Sequence, residues 1–179
     1  MKVLLLIFLT GIAFNVISQS KKEFVCTPCG YDCDKEVHDG PGTCHSCNMK
    51  LVEKSSIKFS NITADELCKR IAANPNALLL DVRTPGEFDG TITGKQSFGH
   101  FKNAININVE ELESRLGELD QYKEREILVY CSHNHRSPRA SYLLSTHGFK
   151  QVKNMTGGVS TFSEPENACL KKSFVFHKN

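Results

Sequence analysis

The sequence predicts an α/β protein in which a parallel five-stranded sheet carries helices on both faces and follows a small cysteine-rich module. Strand-like and helix-like patterns alternate after Lys54, which is typical of a parallel sheet with helical crossovers. Two apolar runs, residues 77–82 and 127–130, have the nearly uninterrupted hydrophobicity of strands buried on both faces. Five of the eight cysteines lie within residues 26–47, a segment with too few apolar residues for a core of its own.

The first 18 residues are predicted to be a secretory signal peptide. Lys2 provides a short basic start, residues 3–14 form a largely apolar stretch, and residues 16–18 suit cleavage. A bilayer span needs about 20 apolar residues, so we expect no stable membrane span after cleavage; an uncleaved anchor is the alternative. The mature protein is therefore expected to be exported, either to the periplasm or into the medium.

The charge balance gives no reason to expect a polyanionic partner. Twenty-two basic residues stand against 20 acidic ones, for a formal net charge of +2. Proteins that bind nucleic acid or anionic membranes usually carry a marked basic excess. We therefore expect no nucleic acid partner.

The cysteine-rich module, residues 22–54, contains two Cys-x-x-Cys pairs with fourteen residues between them. Each pair can present two sulfurs to one ion, and two such pairs complete the tetrahedral shell of a structural zinc ion. The alternative is a disulfide-stapled knot, which export would favour, although an odd number of cysteines cannot all pair. The predicted metal ligands are Cys26, Cys29, Cys44 and Cys47, with Cys33 and His38 as further candidates.

The two ends of this module resemble the short heavy-metal-binding domain of metal-efflux proteins. The resemblance lies in Phe24-x-Cys26 at the front and in residues 41–51, Pro-Gly-Thr-Cys-His-Ser-Cys-Asn-Met-Lys-Leu, at the back. Cys29 stands where that family usually has histidine, and Asn48 stands where it usually has glycine. The resemblance implies metal binding by this segment.

Each element of the next domain, residues 56–166, has a local signal. A capping box, Thr63-x-x-Glu66, opens the first helix, and leucines at helical spacing mark the second. Gly148 supplies the left-handed end of a helix that begins at Pro138. The predicted strands are residues 57–59, 77–83, 104–107, 127–130 and 151–154; the second helix covers residues 110–119, and residues 167–179 are predicted to be a tail.

Residues 131–137, which follow the fourth predicted strand, contain the candidate reactive group. Cys131 stands at the carboxyl end of a buried strand, where open α/β sheets place their functional residues. Ser137 and Pro138 suit the N-cap and first position of a helix. Loop N–H groups, this helix start and Arg136 would all favour the thiolate form of Cys131.

Four motifs, in order along the domain, resemble the rhodanese sulfurtransferase family. They occupy residues 80–88 (Leu-Asp-Val-Arg-x-Pro-x-Glu-Phe), 99–106, 131–149 and 157–158. The resemblance implies a rhodanese-like parallel sheet and a thiosulfate sulfurtransferase-like enzyme that carries sulfane sulfur as a persulfide on Cys131. The donor would be a small anion such as thiosulfate or a persulfide, and the acceptor a thiol or a cyanide-like nucleophile. No cofactor is implied for the transfer.

The resemblance implies a site built on one loop. Cys131 would be the nucleophile, and Arg136 would hold the anionic donor and the persulfide. Asn134 replaces a common glycine, and asparagine tolerates left-handed backbone best after glycine. His133 and His135 are either exposed loop residues or groups that bind the donor or move a proton. The predicted donor-binding residues are Ser132, His133, Asn134, His135 and Ser137.

The sequence leaves three alternatives to a sulfurtransferase. The first is a phosphatase, which the spacing disfavours: phosphatases with a cysteine–arginine loop have five residues between the cysteine and the arginine, whereas only four separate Cys131 from Arg136. The chain could instead be a non-catalytic metal-binding or interaction protein that uses the rhodanese fold as a scaffold, or it could supply sulfur to metal–thiolate chemistry in its own module. Residues 91–98 are an insertion that either sets substrate choice at the loop or is a plain surface excursion.

Overall fold

The computed structural model describes residues 21–162 and 168–177. The predicted signal peptide, residues 1–18, lies outside the described residues. Across the described parts of the chain, no helix has both the length and the apolar character that a membrane crossing requires.

Nine strands and four α-helices are found among the described residues. The strands are β1 (Phe24–Cys26), β2 (Leu51–Glu53), β3 (Ser60–Ile62), β4 (Leu78–Asp81), β5 (Gly99–Phe101), β6 (Ile105–Asn106), β7 (Glu126–Tyr130), β8 (Gln151–Met155) and β9 (Phe174–Phe176). The helices are α1 (Ala64–Ala73), α2 (Pro85–Asp89), α3 (Ser137–Thr146) and α4 (Ala168–Ser173). Four 3₁₀ segments cover Asp32–Lys35, Lys54–Ser56, Glu113–Tyr122 and Val159–Thr161.

The central sheet confirms the predicted architecture. Its five strands are parallel and run in the order β3-β8-β7-β4-β6. Side chains of β7, the middle strand, alternate between two apolar cores. Ile127 and Val129 belong to the core on the α3 side, whereas Leu128 and Tyr130 belong to the core on the α1 side. This burial on both faces explains why the strand reads as one apolar run.

Two predicted elements differ from those observed. The first strand of the sheet is β3, which begins just after the predicted residues 57–59, because Ile62 is the side chain that enters the core. The predicted helix at residues 110–119 is a 3₁₀ helix, Glu113–Tyr122. Gly117 near its middle weakens α-helix formation, yet the predicted apolar side is buried through Leu112 and Leu119.

The C-terminal segment is not a loose tail. Helix α4 and strand β9 lie within residues 168–176, and β9 pairs antiparallel with β5. A disulfide between Cys68 of α1 and Cys169 of α4 ties the segment to the domain. Leu170 and Phe174 are buried in the α1-side core, so these few apolar side chains fix a segment whose local sequence signal is weak.

The cysteine-rich module is a small unit of its own. Strands β1 and β2 pair antiparallel, and the N–H of Phe24 donates to the carbonyl oxygen of His38 at 2.9 Å. Its core is formed chiefly of cysteine side chains with Leu51. A core of sulfur atoms this small needs cross-links or a metal to be stable.

Candidate active site and metal centre

Cys131 lies where the sequence predicts it, directly after the middle strand of the sheet. It is only 1% exposed, and its thiol donates to Ser137 Oγ at 3.4 Å. Ser137 is fully buried at the start of α3, which begins one residue before the predicted position and has Arg136 as its N-cap. A hydroxyl in this position can turn its hydrogen toward a thiolate once Cys131 loses its proton.

The glycine pair after β8 braces the first residues of the loop. The N–H groups of Val159 and Ser160 donate to the carbonyl oxygens of Cys131 and Ser132 at 2.9 and 3.0 Å. A Cβ on Gly158 would lie 2.1 Å from the Ser132 carbonyl oxygen, and the Gly158 φ is 74°. Only glycine allows both the approach and the backbone conformation.

The second half of the loop turns at Asn134, whose φ of 62° confirms that this asparagine occupies a left-handed position. Asn154 Nδ2 donates to Asn134 Oδ1 at 3.0 Å and to Asn61 Oδ1 at 2.8 Å. Among the described residues, the backbone N–H groups of residues 133–136 have no hydrogen-bond partner. They are therefore available to an anion bound at the loop.

Glu87 of α2 organises the loop, although the sequence analysis gave it no role. Its carboxylate accepts hydrogen bonds from both terminal nitrogens of Arg136, at 2.6 and 2.7 Å, and one from Ser132 Oγ at 3.1 Å. It also accepts from the backbone N–H of Thr84 at 3.1 Å as part of the α2 capping box. No hydrogen bond joins Arg136 to the Cys131 sulfur within the described residues. Arg136 contacts the Glu87 carboxylate and, through Nη2 at 3.2 Å, the Ser132 hydroxyl of the loop.

Glu87 and Arg136 favour each other's charged form. Burial acts to raise the pKa of Glu87, but hydrogen bonds from Arg136 and Thr84 outweigh burial and lower that pKa to about 2. Hydrogen bonds to Glu87 correspondingly raise the pKa of Arg136. Both groups therefore stay charged at neutral pH.

We expect Glu87→Gln to lower the free energy of unfolding at pH 7 by about 2 kcal/mol, because it leaves the half-buried Arg136 cation without a counter-charge. A carboxyl with a depressed folded-state pKa stabilises the fold above its unfolded pKa, near 4.5, and this stabilisation is lost as the pH falls toward 2. Urea unfolding of both proteins at pH 7 and pH 3 measures the difference, which should shrink at the lower pH.

The control is Glu110→Gln, since Glu110 pairs with Arg139 in a bridge whose side chains are 65% and 48% exposed. Exposed pairs contribute about 0–1 kcal/mol, so this variant should unfold almost as the unaltered protein does. Equal stability of the Glu87 and Glu110 variants would contradict the role assigned to Glu87.

A surface cavity of about 570 Å³ opens beside the loop. Glu87, Arg136 and His133 line one side, and residues of the insertion at 91–98 line the other, including Lys95 and Phe98. Phe98 contacts the edge of His133 with ring centroids 5.5 Å apart. The insertion therefore lies at the mouth of the loop and forms part of its wall.

The buried Asp81–Arg83 pair fixes the end of this insertion. Arg83 Nη2 donates to Asp81 Oδ2 at 2.6 Å and to the Gly99 carbonyl oxygen at 2.7 Å, and Arg83 Nη1 donates to the Ser97 carbonyl oxygen at 2.7 Å. Both side chains are completely buried. The pair therefore has a structural role, since it ties the end of β4 to the backbone at residues 97 and 99.

Four cysteine sulfurs of the module form a candidate metal centre. The ligand atoms of Cys26, Cys29, Cys33 and Cys47 all lie within 4.8 Å of one another. The Cys26–Cys47 and Cys29–Cys33 sulfur pairs are 3.2 and 3.5 Å apart. A tetrahedral zinc site with Zn–S bonds of about 2.3 Å has sulfurs about 3.8 Å apart, so this donor set fits a zinc-like ion.

Cys33 replaces Cys44 in this group of four. The 3₁₀ helix Asp32–Lys35 brings Cys33 to the cluster, whereas the predicted ligand Cys44 is fully buried beside it. The backbone N–H of Ser46, against the opposing effect of burial, lowers the pKa of Cys44 to about 7, with help from Cys47. Burial raises the pKa values of Cys26, Cys29 and Cys33. All five module cysteines are unpaired thiols.

The profile of the rhodanese-like domain family matches residues 63–165, which is more than half of the chain. The chain belongs to the rhodanese-like domain family. The matched residues run from the N-cap of α1 to beyond the glycine pair that braces the loop, so the rhodanese-like domain includes Cys131, Arg136 and Glu87.

Two curated relatives of this rhodanese-like domain have different names. A sulfurtransferase of Allochromatium vinosum is 28% identical over 100 residues, which cover 56% of this chain and 84% of that protein. The tRNA uridine(34) hydroxylase of Buchnera aphidicola is 32% identical over 113 residues, 58% of this chain but only 34% of that protein. The chain thus matches about a third of the hydroxylase. Among solved structures, a rhodanese-related protein of Thermoplasma volcanium is 29% identical, with a TM-score of 0.47 over 57% of this chain and 88% of that one.

The predicted site residues lie in several different surroundings. Cys131, Ser132 and Ser137 are buried in the loop interior, and Arg136 is half-buried against Glu87. Asn134 turns the loop. His133 borders the cavity, but His135 faces the cysteine-rich module, where its ring stacks on Tyr31.

Proposed function

We propose that this chain is an exported sulfurtransferase that carries sulfane sulfur as a persulfide on Cys131 and holds a structural zinc ion in its N-terminal module. The observation that carries the proposal is the position of Cys131: a shielded thiol beside Ser137 Oγ, followed by a loop whose N–H groups have no partner among the described residues. The family and the similarity to a sulfurtransferase, of which the match covers 84%, support it.

The chemical steps of the transfer use groups of this loop and of the start of α3. The Cys131 thiolate attacks the outer sulfur of thiosulfate, the S–S bond of thiosulfate breaks, and sulfite leaves with the electron pair. The new persulfide keeps one negative charge, which loop N–H groups and Ser137 Oγ can stabilise. An acceptor nucleophile then takes the outer sulfur and returns the Cys131 thiolate, so no external oxidant or reductant is consumed.

The pairing state of the cysteines outside the module supports export. Cys68 and Cys169 form a disulfide, and such bonds persist in oxidising compartments. Because they are bonded to each other, neither offers a free thiol to resolve Cys131. The burial of Cys131, at 1% exposure, would also slow its oxidation there.

Incubation with thiosulfate tests the proposal. Peptide mapping should find a mass increase of about 32 Da on the peptide that contains Cys131, and a reductant should remove it. A Cys131 that stays a free thiol with every sulfane donor would contradict sulfur transfer and favour the scaffold alternative.

Metal analysis of the same sample should find one zinc ion per chain; a metal-free module with internal disulfides would contradict the zinc site.

We expect Lys95→Gln to raise the KM for thiosulfate about three- to fivefold with little change in kcat. Arg136 is already paired with Glu87, whereas Lys95 is an exposed cation of the cavity wall that makes no ion pair within the described residues. An unpaired cation at the mouth attracts a dianionic donor, and salt screens this attraction. Initial rates at low and high ionic strength measure both effects.

The control is Lys58→Gln, which removes an exposed lysine that does not line the cavity. It changes the net charge of the protein equally, so its KM should match that of the unaltered protein. A parallel rise in KM for both variants would show a general charge effect and contradict a specific role for Lys95.

A further inference from the structure

The cysteine-rich module contacts the active-site loop, residues 131–136, directly. The Tyr31 ring stacks on the His135 ring with centroids 4.1 Å apart and planes 14° from parallel. Next to it, Gly30 packs so tightly that a Cβ at this position would lie 1.8 Å from the carbonyl oxygen of Asn134. Gly30 also has a φ of 78°, so both its conformation and its neighbour require glycine.

The contacting residues follow a sulfur of the metal centre. Cys29, one of the four clustered cysteines, immediately precedes Gly30. The carboxylate of Asp34 accepts hydrogen bonds from the N–H groups of Cys29 and Gly30 at 3.0 and 2.7 Å. The backbone that touches the active-site loop is thus shaped by the same turn that places the Cys29 sulfur.

The loop is held from two sides at its left-handed turn. From the sheet, Asn154 Nδ2 donates to Asn134 Oδ1 at 3.0 Å; from the module, Gly30 lies against the Asn134 carbonyl oxygen. Movement of Gly30 would free one side of the turn. The N–H groups of residues 133–136 belong to this turn, so their direction depends on both supports.

We propose that a thiophilic divalent ion, held by Cys26, Cys29, Cys33 and Cys47, clamps the active-site loop through Gly30 and Tyr31. This inference rests on the proposed function: the clamped loop is the one that stabilises the persulfide. The ion touches no reacting atom, and Gly30 and Tyr31 are positioning residues. Loss of the ion frees Cys29 and the turn that follows it. Gly30 and Tyr31 then no longer hold Asn134 and His135. Sulfur transfer therefore depends on a metal ion at a separate site.

Two glycines of the module provide a matched test. A methyl group on Gly30 would collide with Asn134, whereas a Cβ on Gly40 would have no atom within 4 Å. We expect Gly30→Ala to keep one zinc ion per chain, to transfer sulfur from thiosulfate about tenfold more slowly, and to react with iodoacetamide at Cys131 at least about fivefold faster. Gly40→Ala should match the unaltered protein in all three measurements.

Tyr31 provides a milder variant that leaves the backbone unchanged. Tyr31→Ala removes the stacked ring and should move alkylation and turnover in the direction of Gly30→Ala, while Tyr31→Phe keeps the ring and should restore both. Zinc content should stay at one ion per chain in each. A Tyr31→Ala protein with unaltered alkylation and turnover would overturn the clamp.

Metal removal completes the test. In chelator-treated full-length protein, Cys131 should be alkylated as fast as in Gly30→Ala. Added zinc should restore the slow alkylation. Chelation of Gly30→Ala should raise its alkylation rate little further. Unchanged Cys131 alkylation after complete loss of zinc would overturn the clamp. If no variant accepts sulfur but alkylation still follows zinc and Gly30, the clamp stands and the proposed function fails.

Discussion

Replacement of Cys131 by serine should reduce thiosulfate-to-cyanide sulfur transfer at least about 1,000-fold, because the hydroxyl cannot form the persulfide. The fold should survive, since the substitution exchanges one buried atom beside Ser137 and removes no ion pair. Thiocyanate formation measures the rate, and thermal unfolding checks the fold. Retention of more than about a tenth of the activity in a folded Cys131→Ser protein would exclude Cys131 as the sulfur carrier.

The matched control for this substitution removes two other cysteines. Cys68→Ala/Cys169→Ala eliminates the disulfide at α1 and α4, away from the loop. At a temperature where this variant is folded, its turnover should equal that of the unaltered protein. A similar loss of activity in both would mean that thiosulfate transfer depends on more than the loop cysteine.

The same double variant should show the largest loss of stability. Its disulfide closes a loop with a sequence separation of 101 residues, and a closure of this length is worth about 4 kcal/mol, chiefly through restriction of the unfolded chain. The bond also fixes α4 and β9, whose Phe174 packs in the α1-side core. Denaturant unfolding of the oxidised protein and of the variant measures the difference.

A reductant gives an independent check on this prediction. It should lower the free energy of unfolding of the unaltered protein by as much as the double substitution does. It should leave the stability of Cys68→Ala/Cys169→Ala unchanged apart from any effect on the module. A variant as stable as the oxidised protein would show that strand pairing and apolar contacts hold the C-terminal segment without the disulfide.

The sheet could be predicted because its signals are local. The apolar run that ends at Tyr130 and the capping box at Thr63 each report one strand or helix, and both are confirmed. The C-terminal segment could not be predicted in this way. Strand β9 is three residues long and owes its place to pairing with β5 and to the disulfide, which join residues far apart in the sequence.

The active-site loop was predictable for a similar reason. Spacing between Cys131 and Arg136 is a property of one short segment, and the tolerance of asparagine for left-handed backbone anticipated the turn at Asn134. Glu87 was within a recognised motif, but its pairing with Arg136 spans 49 positions. Only the folded chain brings the two together.

Spacing alone left the ligand set of the candidate metal centre open. The two Cys-x-x-Cys pairs favoured Cys44, whereas the 3₁₀ helix after Tyr31 places the Cys33 sulfur in the cluster. A cysteine on such a short turn has no periodic signal. Similarly, nothing in the sequence indicated that Gly30 and Tyr31 meet the loop at Asn134 and His135.

The central claim is that Cys131 carries the transferred sulfur, and a labelled single turnover tests it most directly. The protein would be incubated with thiosulfate labelled in its outer sulfur, separated from free donor, and mixed with cyanide. The account predicts about one label per chain, located on the Cys131 peptide, and its quantitative release as thiocyanate. Label that is absent from Cys131, or that resides on the module cysteines instead, would contradict the account.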